Sequence, residues 1–398
     1  MHIGYVRMCQ AIELDYKIAT STFIQCRLDI LEPLLKMGHK ITVYSEIKDE
    51  HIGKLPVIYE PKTLDIKCDV LFIENGSTNM NYMNTVTKEP HIRRMMKVVD
   101  AFDGLVLWYH DDCSLPFPFH QLMNTKYPWG HKKNGYCGGP RGPLWTVDSG
   151  WATKEEMLGK GKRHKVLMHT QDFNKARGIY TGSRSRYDLL PDNFRFAYAP
   201  QGLSPTLRAH LAKSSGPRLY AKKVERGLVY AGHDATTRNR IKSFRRLLGR
   251  YSELGGRLSL YGAWKDSTLK GYPNLIYKGR KKYTWEIDNA VHKYLASIQI
   301  GPENARTLGW ISYRPVETVL VGTVCLIDKC LNHCGDVVHL PEKFEVETAE
   351  QMICYMDQLR SSRNNYNGLW QEQYEHVRKV FDPMNAMGYL VRKIDRWM

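Results

Sequence analysis

The stretch Ile298–Asp328, IQIGPENARTLGWISYRPVETVLVGTVCLID, decides the fold class. It reads as strand, loop, short helix and strand. Ser297–Ile300 is apolar and β-prone and stops at Gly301-Pro302, where the missing donor of proline ends a ladder. Pro315 suits the first turn of a helix, where a lost N–H costs nothing. Val316, Val319 and Leu320 make the apolar face of that helix, and Gly322 stops it. Thr323–Ile327 has the look of a buried strand and ends in Asp328. The loop before the helix therefore opens at the carboxyl end of a strand, where open α/β sheets bind their ligands. Arg314 and Glu317 stand three residues apart and share a face. Two readings fit them: an intrahelical ion pair worth a few tenths of a kcal/mol, or an arginine for a phosphate beside a carboxylate for two ribose hydroxyls.

Outward from this stretch, the same alternation fills the chain. In the first half, strands are expected at His2–Arg7, Lys40–Tyr44, Val70–Ile73, Gly104–Tyr109, Val166–His169 and Phe194–Ala199. Between the first two, Phe23–Met37 has a helical apolar face of Ile24, Leu28, Leu31, Leu34 and Leu35, stopped by Gly38. Helical patterning also covers Met95–Phe102 and Lys154–Leu158. The second half restarts with strands at Gly227–Ala231, Arg257–Tyr261 and Leu275–Tyr277 and helices at Arg238–Leu254 and Trp285–Leu295. Helices over Ala349–Arg363, Tyr366–Lys379 and Asn385–Met398 finish the chain. Repeated β-α-β units predict two doubly wound parallel sheets. The expected organisation is a first α/β domain over 1–200, a linker over 201–226, a second α/β domain over 227–370, and a helical segment over 371–398 returning to the first domain.

Lys and Arg outnumber Asp and Glu by 58 to 41, a net charge of +17. That excess favours a polyanionic partner, most commonly nucleic acid; a basic protein without such a role is the other reading. No window approaches the roughly 20 apolar residues that span a bilayer. The first residues lack the apolar core of a signal peptide, so a cytoplasmic protein is expected. Nine scattered cysteines argue against a disulfide framework. Cys325, Cys330, His333 and Cys334 have the residue types of a metal site, but Cys325 falls in a strand and a second Cys-x-x-Cys is missing, which favours reduced thiols.

Two further loops carry chemistry. His110-Asp111-Asp112-Cys113-Ser114-Leu115-Pro116-Phe117 follows a strand end, where a carboxylate is placed like a catalytic base; ordinary turn chemistry is the alternative. From His120 to Pro143, Tyr127, Trp129 and Tyr136 are interleaved with Lys126, Lys132, Lys133 and Arg141. Such a loop grips a nucleic-acid backbone and wedges a base step, or is a solvated insertion. Lys162 and Arg163 lie in a second basic run. In the other half, Gly232-His233-Asp234-Ala235-Thr236-Thr237 leads into a helix carrying Arg238 and Arg240, an arrangement suited to a diphosphate. With one glycine it is neither a P-loop nor a dinucleotide fingerprint.

These blocks resemble the T-even bacteriophage DNA β-glucosyltransferase family of GT-B glycosyltransferases. The resemblance runs over Asp112–Phe117, Trp151–Met157, Val166–His169, Tyr230-Ala231-Gly232, Tyr261-Gly262, Gly279 with its following basic residues, and Arg314–Thr318 leading to Leu326-Ile327-Asp328. It implies a GT-B fold, two Rossmann-like doubly wound α/β domains facing a central cleft. It implies Asp112 as catalytic base, Arg314 on the donor diphosphate, and Glu317 on the ribose hydroxyls. Arg238 or Arg240 would be a second diphosphate contact, within a donor site that includes Gly232, Gly279 and Arg280. The implied reaction is inverting transfer of glucose from UDP-glucose to a 5-hydroxymethylated pyrimidine in duplex DNA, cytosine before uracil, by base flipping. A divalent cation, Mg or Mn, is compatible with this, although an Asp-x-Asp motif is lacking. The expected setting is a monomer in the cytoplasm of an infected host cell, away from membranes. Two alternatives remain at this level: a GT-B enzyme with a non-DNA acceptor, and a non-catalytic DNA-binding protein on the same fold.

Overall fold

Short runs rich in Val, Ile, Leu and Tyr form the strands of two separate parallel sheets. The computed structural model describes residues 1–6, 31, 33–45, 51–52, 55–59, 66–74, 101–110, 164–168, 196–198, 225–232, 240–281, 284–301, 313–334 and 337–398. The chain divides into two units: Met1–Leu14 with Cys26–Pro200 and Met384–Met398, and Asp15–Gln25 with Gln201–Pro383.

The first unit holds an eight-stranded sheet of β1 (His2–Val6), β2 (Lys40–Ser45), β3 (His51–Ile52), β4 (Leu55–Tyr59), β5 (Val70–Glu74), β6 (Leu105–His110), β7 (His164–Met168) and β8 (Phe196–Tyr198). Its order is β3-β4-β2-β1-β5-β6-β7-β8. Every pair is parallel except β3 with β4. The β3–β4 hairpin went unforeseen, since Pro56 and the shortness of both runs weaken the strand signal. Central strands are buried on both faces, as in Tyr5 and Phe72, whose rings stack at 5.9 Å. The helix over 33–36 ends at Gly38 as expected, with Leu34 buried, but Leu35 faces outward. The last helix, Pro383–Trp397, buries Met387, Leu390 and Ile394, a spacing of three and four that makes one apolar stripe. The helical expectations at Met95–Phe102 and Lys154–Leu158 fall mostly or wholly outside the described residues.

The second unit holds a six-stranded, wholly parallel sheet of β9 (Glu225–Ala231), β10 (Leu258–Tyr261), β11 (Leu275–Tyr277), β12 (Tyr294–Gln299), β13 (Val324–Asp328) and β16 (Glu345–Val346). The order β11-β10-β9-β12-β13-β16 reverses between β9 and β12, as in a Rossmann sheet. A small hairpin of β14 (His333–Cys334) and β15 (Val337–Val338) stands apart. Several boundaries differ from expectation, most by one to three residues, and two of them move residues into the sheet. β9 begins at Glu225, so the expected linker gives its last two residues to the sheet. The helix expected over Trp285–Leu295 runs Thr284–His292, and Tyr294 and Leu295 belong to β12. Both residues are buried in a strand flanked on each side, where alternation is not required and periodicity cannot separate strand from helix.

After β9 comes a helical run from Ile241 to Glu253 whose middle, Phe244–Gly249, is π-wound. It packs with Ala349–Ser361 on one face of the sheet; Thr284–His292, Tyr313–Leu320 and Arg363–Val380 cover the other. Arg363–Val380 also satisfies backbone groups that its neighbours leave open. Trp370 Nε1 donates to Val319 O (2.8 Å) and Tyr366 Oη to Gly322 O (2.7 Å), which satisfies carbonyls at the end of Tyr313–Leu320. Gly322 has φ +85°, the left-handed stop expected of it. Gln373 stands in for a missing strand: its Oε1 accepts from Cys325 N (2.9 Å) and its Nε2 donates to Cys325 O (2.6 Å). β16 pairs with β13 only at Ile327 and Asp328, so Gln373 completes the buried ladder beside Cys325.

Candidate nucleotide site

The carboxyl edge of the six-stranded sheet gathers most of the second-half residues singled out from sequence. β9 ends into Gly232, whose N–H donates to Tyr261 O (2.9 Å), while Trp264 Nε1 donates to Gly232 O (3.1 Å). Beyond β10, Gly262 N donates to Gly279 O (3.2 Å) and Tyr277 Oη to Gly262 O (3.0 Å). These bonds carry the pairing of β9, β10 and β11 past the strand ends and stiffen the rim. Gly279 sits there with φ +91°, a conformation a Cβ would strain, and Arg280 beside it is exposed. Arg240 is the residue before the Ile241 helix and its carbonyl accepts from Phe244 N (2.8 Å). Arg238, the other candidate for the diphosphate, lies outside the described residues.

Across the switch point, Tyr313–Leu320 begins beside the end of β12. Pro315 falls in its first turn, and Val316, Val319 and Leu320 are buried against the sheet, as their spacing required. Glu317 is turned inward with them and is fully buried. Arg314 Nη1 lies 2.8 Å from Glu317 Oε2 and 3.4 Å from Oδ1 of Asp288, a buried carboxylate on Thr284–His292. Only the contact with Asp288 has hydrogen-bond geometry. The closer contact with Glu317 is therefore a charge pair off the bonding direction, and neither Glu317 oxygen has a hydrogen-bond partner. Buried carboxylate oxygens are nearly always hydrogen-bonded, so such a pair calls for an explanation. Two hydroxyl donors on adjacent carbons would satisfy it.

Asp288 went unnoticed in the sequence, because an aspartate within an amphipathic helix normally faces water. The pair Arg246–Asp328 was likewise hidden. Asp328 ends β13 fully buried, its Oδ1 accepting from Arg246 Nη2 (2.7 Å) and Cys330 N (3.2 Å). Burial, helped by the Asp328 charge, pushes the Cys330 thiol up to about 12, and burial alone holds the Cys325 thiol well above its usual range. Among the described residues no group of three or more His, Cys, Asp or Glu side chains could hold a metal ion. The proposed base Asp112 follows β6, which ends at His110, and lies outside the described residues. So do Lys126, Trp129, Lys132, Lys133, Tyr136, Arg141, Lys162 and Arg163. No helix among the described residues is long and apolar enough to cross a membrane.

No protein-family model matches the chain, and no curated protein matches it in sequence. Solved structures do match it. T4 phage β-glucosyltransferase in complex with its UDP-glucose substrate superposes with TM-score 0.64 at 16% identity, over 99% of this chain and 100% of its own. The T4 enzyme in complex with UDP and Mn2+ gives 0.60 at 17%, over the same shares. An α-glucosyltransferase in complex with UDP and a 13-mer DNA containing a HMU base gives 0.59 at 14%, over 98% of each chain. This chain has the GT-B fold of these glucosyltransferases, two parallel α/β sheets each built in Rossmann order.

Proposed function

We propose that the protein is a DNA glycosyltransferase that transfers glucose from UDP-glucose to the hydroxymethyl group of a 5-hydroxymethylated pyrimidine, cytosine in preference to uracil. The observation that carries this reading is the buried Glu317, ion-paired with Arg314 but with neither oxygen hydrogen-bonded, at the switch point of a Rossmann sheet. It is supported by solved structures of the same fold whose ligands are UDP-glucose in one case, and UDP with DNA in another. Glu317 would accept from both ribose hydroxyls, and Arg314 would meet the diphosphate. Arg240 or Arg238 would add a second cation from the start of the helix after β9, while Gly232, Gly279 and Arg280 would line the donor's approach.

In the proposed reaction the acceptor hydroxyl attacks the anomeric carbon from the face opposite UDP. The new C–O bond forms as the bond to the diphosphate breaks, and configuration inverts. Asp112 would take the hydroxyl proton, and the arginines would stabilise the charge developing on the leaving diphosphate. A base inside a duplex cannot reach an enclosed site, so the nucleotide would be flipped out. The net charge of +17 fits a sequence-independent hold on phosphates. Lys126, Lys132, Lys133, Arg141, Lys162 and Arg163 would serve there, with Trp129 and Tyr136 as wedges. A divalent cation, if one assists release, would ride on the diphosphate itself.

The test is incubation of hydroxymethylcytosine and hydroxymethyluracil duplexes with UDP-glucose, followed by mass spectrometry of the nucleosides and assignment of the anomer. The expected product is a β-glucosylated hydroxymethyl base, abolished by Asp112→Asn while UDP binding persists. An α-linked product would overturn the inverting mechanism. Modification of neither duplex, with UDP still bound, would overturn the DNA acceptor.

A further inference from the structure

We infer that Asp288 is a positioning residue for the donor site: it takes the directional hydrogen bond of Arg314 and so leaves both oxygens of Glu317 open to the ribose. This rests on the reading of Arg314 and Glu317 given above and adds a residue to it. Three side chains share one corner, the two carboxylates buried and Arg314 partly exposed. Both carboxylates meet the same nitrogen, Nη1 of Arg314, but differently. The N–H points to Asp288 Oδ1 at 3.4 Å, whereas Glu317 Oε2 is nearer, at 2.8 Å, and unbonded. Were Asp288 absent, the guanidinium would lose the bond that draws Nη1 away from Glu317, and the fork-to-carboxylate bond that arginine prefers would be favoured. A hydroxyl would then have to displace that bond. With Asp288 in place, the charge on Glu317 is balanced through space while its lone pairs stay available.

The element that carries Asp288 is tied down independently. His292 Nδ1 lies 2.5 Å from Val321 O, and Thr323 Oγ1 donates to Val291 O at 3.1 Å. The C-terminal end of Thr284–His292 is thus bonded to the turn that follows Tyr313–Leu320, and Asp288 one turn earlier is held level with Arg314. Ligand-facing groups gain accuracy when their partners sit on rigid elements rather than loops. Asp288 is itself buried, so it has no ordinary surface role. Two carboxylates buried close together are costly to keep, which is expected where the arrangement serves binding.

The experiment measures uridine, UMP and UDP binding by calorimetry in the wild type, Asp288→Asn, Asp288→Glu, Arg314→Met and the Asp288→Asn/Arg314→Met double variant. In Asp288→Asn the arginine is released toward Glu317, so ribose contacts weaken and uridine and UDP affinity fall by about 10-fold, the usual scale for losing an orienting partner. Asp288→Glu restores most of the loss. With Arg314 already removed, Asp288→Asn has no further effect, because the residue it orients is gone; a merely structural role would give equal losses in both backgrounds. Equal losses, or unchanged affinities in Asp288→Asn, would overturn the inference. If the wild type binds no UDP, or Arg314→Met binds it as well as wild type, the donor-site reading fails instead. Thermal melts of each variant separate misfolding from lost binding.

Discussion

Replacing Glu317 by Gln removes one charge, keeps the shape of the side chain, and tests the proposed donor site where the structure is most specific. Each Glu317 oxygen is buried without a hydrogen-bond partner, so each is available to one hydroxyl. A hydrogen bond to a charged group contributes about 1.5–3 kcal/mol net. At 1.4 kcal/mol per tenfold, wild-type protein should therefore prefer UDP over 2′-deoxy-UDP by about 10–150-fold. In Glu317→Gln one oxygen becomes a donor that cannot accept from ribose, and the remaining acceptor is neutral. Discrimination should fall to about 2–12-fold, since neutral hydrogen bonds contribute about 0.5–1.5 kcal/mol. The unliganded variant should melt no lower than wild type, because a buried and incompletely bonded carboxylate is a cost that binding justifies. Calorimetric titration of both nucleotides into both proteins gives the four affinities needed. Equal affinity of wild type for UDP and 2′-deoxy-UDP would refute the ribose assignment. So would a Glu317→Gln variant that loses UDP affinity yet keeps its preference, since the loss would then come from general disruption.

Two predictions concern the scaffold and the thiols. Gln373→Ala strands a backbone N–H and a carbonyl of Cys325 in the core, so urea unfolding should show a loss of about 2–4 kcal/mol at one to two unpaired groups; a loss under about 0.5 kcal/mol would mean the ladder is completed another way. Among the cysteines with described side chains, Cys354 is exposed, whereas burial raises Cys68 to about 11 and Cys330 to about 12. At pH 8 those two are roughly 0.1% and 0.01% thiolate, so iodoacetamide labelling followed by peptide mass spectrometry should mark Cys354 well before either. Early labelling of Cys330 would refute its placement beside Asp328.

Much of the fold was legible in the sequence because parallel sheets announce themselves. Their strands are continuous apolar runs, and the residues that stop helices, Gly38 and Gly322, are glycines that take positive φ. The errors fell where periodicity loses meaning. Tyr294 and Leu295 sit in a strand buried on both faces, and the two-residue strands β3 and β16 are too short to show a pattern.

The site divides along the same line. Arg314 and Glu317 could be found from sequence because helical spacing fixes which residues share a face, whereas Gly279 entered only through the family resemblance. Sequence could not choose between an ion pair and a ligand site, since three-residue spacing suits both. The proposed ligand site rests on two facts no local pattern contains: Glu317 is buried with neither oxygen hydrogen-bonded, and Arg314 donates to Asp288, twenty-nine residues before Glu317. Burial and the direction of a hydrogen bond are properties of packed elements. The sequence determined which chemical groups reach the carboxyl edge of the sheet, and only the packing of two crossover helices decided which of those groups remain available to a ligand.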